Sequence, residues 1–293
     1  MMPPLVYASG IQHTLAEDTA ARLGTTANSK QEFNHLPHLY LSEVGLSFFH
    51  PEARSTYQFR IDFNSGTTGW RIKRANHEKL IKKALGKSER PLNILDCTAG
   101  MLQDTLLFLS LGHQVTALEQ SKILFHLLQD GISRSEDQNI FIKLDLIHAN
   151  ACSYAAHAKN FDVIYFDPMY PPSKKNALSS GQLEYISKIL EVESLENNAT
   201  KDFEVLQLIS ARKMIVKRPI KAEPFSLQTN YQVSGGGIGC YAVSAFDSSP
   251  VYESALSEEA CVEEAGCALA GDSNNDGSVN VSDIVLLVGA ILN

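Results

Sequence analysis

The stretch FDPMYPP, Phe166 to Pro172, follows the apolar run DVIY. It sets an acid, a proline and an aromatic ring at the end of what reads as a buried strand. Proline ends strands and aspartate tolerates turns, so a plain strand end with a turn accounts for the composition. A pocket for a flat, amino-bearing base accounts for it too, and also explains the ring. Asp167 can accept one N–H of an exocyclic amine and the carbonyl of Pro168 another. Tyr170 can stack on the base, a contact that contributes ~1–3 kcal/mol per base in single-strand binding. Group transfer to such an amine is hard because the nitrogen lone pair is delocalised into the ring. Holding the NH2 with its lone pair in line lowers that barrier by orientation. A base inside a helix must first be flipped out or already be unpaired. Lys174 and Lys175 follow directly, and Lys217 and Arg218 close a later strand on the same edge. All four are candidates for contacts to flanking phosphates.

A second constellation lies upstream. The run NILDCTAGMLQD ends a short apolar strand in a glycine turn. Gly100 permits the turn and a close backbone approach to a ligand. Asp96 sits at the strand end and Asp104 opens the next helix. The following strand, QVTALE, ends in Glu119, 23 residues after Asp96. An acid at that distance is where a ribose diol is bound in dinucleotide folds. NAD and S-adenosylmethionine both suit this spacing. The loop has no GxGxxG, so no pyrophosphate cradle is evident, and Asp104 would repel phosphate. The same acid suits a cationic sulfonium and ammonium, which favours S-adenosylmethionine. A purely structural strand–turn–helix remains the plainer alternative.

These residues need a scaffold. From Pro91 onward, strand-like runs (NILDCTA, QVTALE, FIKLDLIHA, FDVIYFDP, ARKMIVKRP) alternate with helical ones (DTLLFLSLG, SKILFHLLQDGI, a segment around DFEVLQLIS). Such alternation predicts βαβ units and a parallel sheet covered on both faces. QVSGGGIGCYAVSAF predicts a closing hairpin. Ligands bind such sheets beyond the C-terminal ends of the strands, where both constellations fall. Residues 1–65 read as a small strand-rich region, and residues 66–246 as the main domain. The segment from Trp70 to Arg90 is rich in bases, including Arg71, Lys73 and Arg74. It reads as a phosphate-facing surface or as a solvated helix face.

DCTAGMLQD, ALEQS, LLQDGI, LIHANA, YFDPMYPPSKKNAL and VKRP, in this order, resemble the ribosomal RNA small subunit methyltransferase J family. The resemblance runs over most of residues 35–246 and is dense from Asp96 to Pro219. It implies a class I S-adenosylmethionine-dependent methyltransferase fold, a Rossmann-like, mostly parallel seven-stranded α/β sheet. It further implies methyl transfer to the N2 amine of a guanine in 16S ribosomal RNA, within the cytoplasm. The family's cofactor contacts would fall on Gln103 and Asp104, on Glu119 and Gln120, on Asn150 and Ala151, and on Asp167. The pattern departs from the family at several of these positions. Leu102 stands where a second glycine is usual, Gln103 and Gln120 replace arginines, and Asn150 and Ala151 replace serines.

The net charge of −8 conceals an asymmetry. Nine acids and no Lys or Arg lie from Asp247 onward, which leaves 24 acids against 25 bases before it. The shift predicts a boundary there, with residues 247–293 as an acidic tail. Within the tail, Asp272, Asn274, Asp276, Gly277, Asn280 and Asp283 match an EF-hand-type spacing, with Asp where the last ligand is usually Glu. This segment resembles a single dockerin-type calcium repeat, so Ca2+ and a docking partner are expectations for the tail. An Asn/Asp/Gly-rich turn before a helix is the plainer account. No basic segment leads into an apolar core at the N-terminus, and no apolar run reaches the ~20 residues of a membrane span. None of the five cysteines forms a CxxC pair, in keeping with a reduced compartment. Two other functions fit the residues: amino-methylation of adenine N6 or a protein glutamine, and calcium-dependent docking by a chain whose body is inactive. Adenine and glutamine enzymes usually carry NPPY or DPPY, and Met169 departs from both.

Overall fold

The computed structural model describes residues 2–29, 35–53, 58–64, 79–155, 160–169, 181–196, 198–219, 225, 231–235 and 241–246. Chain order begins with β1 (Leu5–Tyr7), α1 (His13–Leu23), β2 (Ala27–Asn28), β3 (His38–Ser42) and β4 (Gly45–Phe49). These strands form one sheet in the order β2-β1-β3-β4, with β1 parallel to both neighbours and β3–β4 antiparallel. The expected strand-rich N-terminal region is thus present, with a helix that its sequence did not announce.

The second sheet follows α2 (Lys79–Leu85). It is built from β5 (Asn93–Asp96), α3 (Gln103–Ser110), β6 (Gln114–Glu119), α4 (Lys122–Ser133), β7 (Leu144–His148), α5 (Ala151–Ala155), β8 (Phe161–Phe166), α6 (Gly181–Val192), α7 (Ala199–Leu206), β9 (Ala211–Pro219), β10 (Tyr231–Gly235) and β11 (Tyr241–Phe246). Its seven strands run in the order β10-β11-β9-β8-β5-β6-β7. The five from β5 to β9 are parallel, and β11 is antiparallel to both β9 and β10. All five expected parallel strands and the closing hairpin are found. The third begins later than its apolar pattern suggests, because Gln138–Phe141 forms a 3-10 turn ahead of β7. The chain leaves β5 toward β7 on one side and returns through β8 on the other. That reversal places a crevice over the ends of β5 and β8.

Period-two alternation divides the sheet's side chains between two apolar layers. Ile94, Val163, Tyr165 and Ile215 face α3, α4 and α6, whereas Leu95, Ile164, Phe166, Met214 and Val216 face Phe203 and Leu206 of α7. The first layer continues without a break into the N-terminal sheet through Leu5, Leu39 and Phe48. Gly131 of α4 is where the two parts meet. A side chain there would come within 2.8 Å of the Ile61 methyl Cγ2. The guanidinium of Arg134, held by Asp130 at 2.8 Å, donates to the Ile61 carbonyl at 2.7 Å. Glycine in mid-helix costs about 1 kcal/mol in propensity, offset here by the packing it permits.

Candidate active site

The site assembles from the C-terminal ends of β5, β6, β8 and β9. Asp96 ends β5 and is 1% exposed. Its carboxylate accepts the Thr98 amide at 3.1 Å and the Thr105 hydroxyl at 2.5 Å. Burial pushes it up from the usual carboxylate range to about 7, against the lowering effect of these bonds and with added repulsion from Asp104 and Asp167.

The loop after β5 turns at Gly100, with φ +51°, and again at Leu102, with φ +57°. The Gly100 amide donates to Glu119 Oε2 at 3.1 Å, and the Ser121 amide to Glu119 Oε1 at 2.8 Å. Glu119 thereby joins the loop after β5 to the loop after β6. It is 5% exposed, and burial raises it to about 8 despite both backbone bonds. Ser121 caps α4 by accepting the Leu124 amide at 3.0 Å. The same helix start is held by Glu193, which lies just beyond α6 (Gly181–Val192). Its carboxylate accepts the Ser121 hydroxyl and the amides of Lys122, at 2.9 Å, and Ile123, at 3.2 Å. Three donors at a helix N-terminus, two of them orphan amides, thus meet one anion, the arrangement that terminus favours.

On the other side, Thr98 Oγ1 accepts the Asp167 amide at 2.7 Å, which ties the DPMY segment to the first loop. Tyr165 of β8 donates its hydroxyl to Asp104 Oδ2 at 2.7 Å. Lys217 of β9 reaches the same oxygen at 2.7 Å and Asp167 Oδ2 at 2.8 Å. Burial acts to lower the ammonium's pKa, but the charges of Asp104 and Asp167 outweigh it and hold the group above the ordinary lysine range.

Asp96, Gly100, Gln103, Asp104, Glu119, Gln120, Asn150, Ala151, Asp167 and Pro168 all line one cleft of about 230 Å³. The structure therefore brings together every expected cofactor-facing position and two of the three residues expected to hold the amine. Asn150 uses its side-chain oxygen to accept the Ser153 amide at 2.7 Å, at the start of α5. Its role as a hydrogen-bonding edge for a ligand is to that extent shared with a structural one.

Lys217 and Arg218 depart from expectation. Both are expected at phosphates, yet Lys217 is 17% exposed and bridges two carboxylates, and Arg218 is 6% exposed. Alternation along β9 sends them to opposite faces of the sheet, and both side chains are largely buried there. Tyr170, Lys174, Lys175, Arg71, Lys73 and Arg74 lie outside the described residues, as do Asp272, Asn274, Asp276, Asn280 and Asp283 of the tail. The sequence reading missed Thr98, Tyr165 and Glu193. Tyr165 carried a signal: a hydroxyl in the middle of a fully buried strand needs a partner.

The residues present fit S-adenosylmethionine. Two buried acids with raised pKa values face a cleft where a cation would restore their charge. Glu119 accepts one bond at each oxygen and retains lone pairs for ribose hydroxyls. The family comparison agrees. Residues 21–235 match a family described as "Putative SAM-dependent methyltransferase". The chain belongs to this methyltransferase family. Two relatives named ribosomal RNA small subunit methyltransferase J are similar to it. The one from Desulfotalea psychrophila is 35% identical over 56% of this chain and 64% of its own length. The one from Thioalkalivibrio sulfidiphilus is 30% identical over 78% of this chain and 92% of its own length. Among solved structures, a SAM-dependent methyltransferase from Neisseria gonorrhoeae shares the fold, with a TM-score of 0.61 and 21% identity over 83% of this chain and 95% of its own.

Proposed function

We propose that this methyltransferase acts on the exocyclic N2 amine of a guanine in 16S ribosomal RNA, free or within the small subunit, in the cytoplasm. The observation that carries the reading is the position of Asp167. It directly follows β8, the strand beside β5, on the wall of the cleft that also holds Asp96 and Glu119, and it is 30% exposed. The names of the relatives support the substrate class.

Bound in the cleft, S-adenosylmethionine supplies an electrophilic methyl group on a sulfonium. Glu119 takes the ribose, and Asp96 and Asp104 supply negative charge near the methionine end. Asp167 accepts one amine N–H, the Pro168 carbonyl accepts the other, and Tyr170 stacks on the base. The nitrogen becomes acidic only when alkylated, so Asp167 can take its proton without being a strong base.

The test is transfer of labelled methyl to small-subunit RNA lacking its N2 methylation, followed by nucleoside analysis. Label in N2-methylguanosine supports the reading. Label in N6-methyladenosine, or in protein, would replace the substrate and keep the chemistry. Asp167→Ala should abolish transfer with the fold retained. For the tail we propose Ca2+ at Asp272, Asn274, Asp276, Asn280 and Asp283, a reading supported by residue spacing alone. Calorimetry with Ca2+ on the full chain and on a chain lacking residues 247–293 tests it.

A further inference from the structure

Lys217, expected at a phosphate, instead bridges two carboxylates. The register that pairs Phe166 with Val216 brings the next residues level, Asp167 just past β8 and Lys217 within β9. Lys217 follows Ile215 in the period-two alternation and so lies on the α3 side, where Asp104 stands in the first helical turn. The ammonium then bridges Asp104 Oδ2 and Asp167 Oδ2.

Three carboxylates, Asp96, Asp104 and Asp167, converge here, with the Tyr165 hydroxyl on Asp104 and the Thr98 hydroxyl at the Asp167 amide. Asp96 is raised to about 7 even with the ammonium in place; without it, the repulsion that Asp104 and Asp167 exert on each other goes uncompensated and raises both. Asp167 is the most exposed of the three and faces the cleft. A protonated Asp167 would present a donor where an amine needs an acceptor.

We propose that Lys217 is a positioning residue that keeps Asp167 ionised and directs its second oxygen, Oδ1, to the acceptor amine. Because the same ammonium holds Asp104, it also links the donor side of the cleft to the acceptor side. The inference rests on the amine-transfer reading only for the identity of what Oδ1 receives. The charge state of Asp167 is independent of it.

The experiment is a carbon-13 titration of the aspartate carboxyls in the full-length chain, without ligand, with Asp167 assigned through Asp167→Asn. In Lys217→Met the Asp167 midpoint should rise by ~1–3 pH units, the effect of losing an adjacent opposite charge. Lys217→Arg keeps the charge and should leave the midpoint near that of the unaltered protein. Should Lys217→Met fail to fold, Lys217→Gln removes the charge and keeps a polar group between the two carboxylates. The same rise is expected there. In turnover, the acidic limb of kcat should move up with the midpoint, and Lys217→Arg should restore much of kcat. A merely structural lysine would lower thermal stability and leave the limb in place. An Asp167 midpoint unchanged in the folded methionine or glutamine variant overturns the proposal. A shifted midpoint in a protein that methylates no guanine N2 overturns the substrate reading and leaves the role of Lys217 standing.

Discussion

The carboxylate of Glu119 accepts the amide of Gly100 at 3.1 Å, across two loops that are 19 residues apart in the chain. Its other oxygen takes the Ser121 amide. One side chain therefore sets the distance between the loop after β5 and the loop after β6, which form the floor of the cleft.

Removing that acid should disconnect the two loops. Hydrogen bonds to a charged group contribute ~1.5–3 kcal/mol each, so Glu119→Ala should weaken S-adenosylmethionine binding by at least ~10-fold. Titration calorimetry reads this directly. Affinity within twofold of the unaltered protein would mean that Glu119 does not organise the cofactor site.

The buried acids make stability depend on pH in an unusual sense. Folding raises Asp96 from 3.8 to about 7 and Glu119 from 4.5 to about 8. Between these limits the folded chain holds protons that the unfolded chain has released. Their stabilising contribution is therefore complete below about pH 4 and is lost as pH rises through about 7 and 8. Asp96→Asn removes the Asp96 part, and Thr105 can turn its hydroxyl to accept from the new amide. This variant should melt higher than the unaltered protein at pH 8.5, with a smaller difference at pH 5. Equal melting temperatures at both values would refute the linkage.

The same groups predict the pH dependence of cofactor binding. A cation in the cleft favours both ionised carboxylates, so binding releases protons and tightens as pH rises toward about 8. Calorimetry at pH 6.5 in buffers of different ionisation enthalpy should detect net proton release. No release would mean that the bound cofactor ionises neither Asp96 nor Glu119.

Glu193 ties the end of α6 to the start of α4. Loss of a helix cap costs ~0.5–2 kcal/mol, and Glu193→Ala should destabilise the fold by that amount. The capped turn begins at Ser121, two residues after Glu119, so cofactor affinity should fall as well. Urea denaturation and calorimetry on one preparation separate the two effects. An unchanged midpoint would show that water caps the helix as well as Glu193 does.

Leu102 has a left-handed backbone and a fully buried side chain. Glycine would relieve ~1–2 kcal/mol of strain. It would also empty a core site, and cutting a buried leucine even to alanine costs ~2–5 kcal/mol. Packing therefore outweighs strain, and Leu102→Gly should lower the urea midpoint, although glycine is usual there in the family that the sequence resembles. A higher midpoint would reverse that ranking.

The sequence alone determined the five parallel strands, the closing hairpin, and the acids at strand ends that line the cleft. Those features are local: an apolar run of strand length, a glycine turn, and Asp96, Glu119 or Asp167 at the position where the run stops. Tertiary structure alone decided the partners of these acids. Lys217 lies 113 residues from Asp104, and Glu193 lies 72 from Ser121. A lysine at a strand end has the same local pattern whether it meets solvent or turns inward. Strand register and the packing of α3 against β8 and β9 chose the second, because two carboxylates brought into a buried cleft are stable as anions only beside a cation.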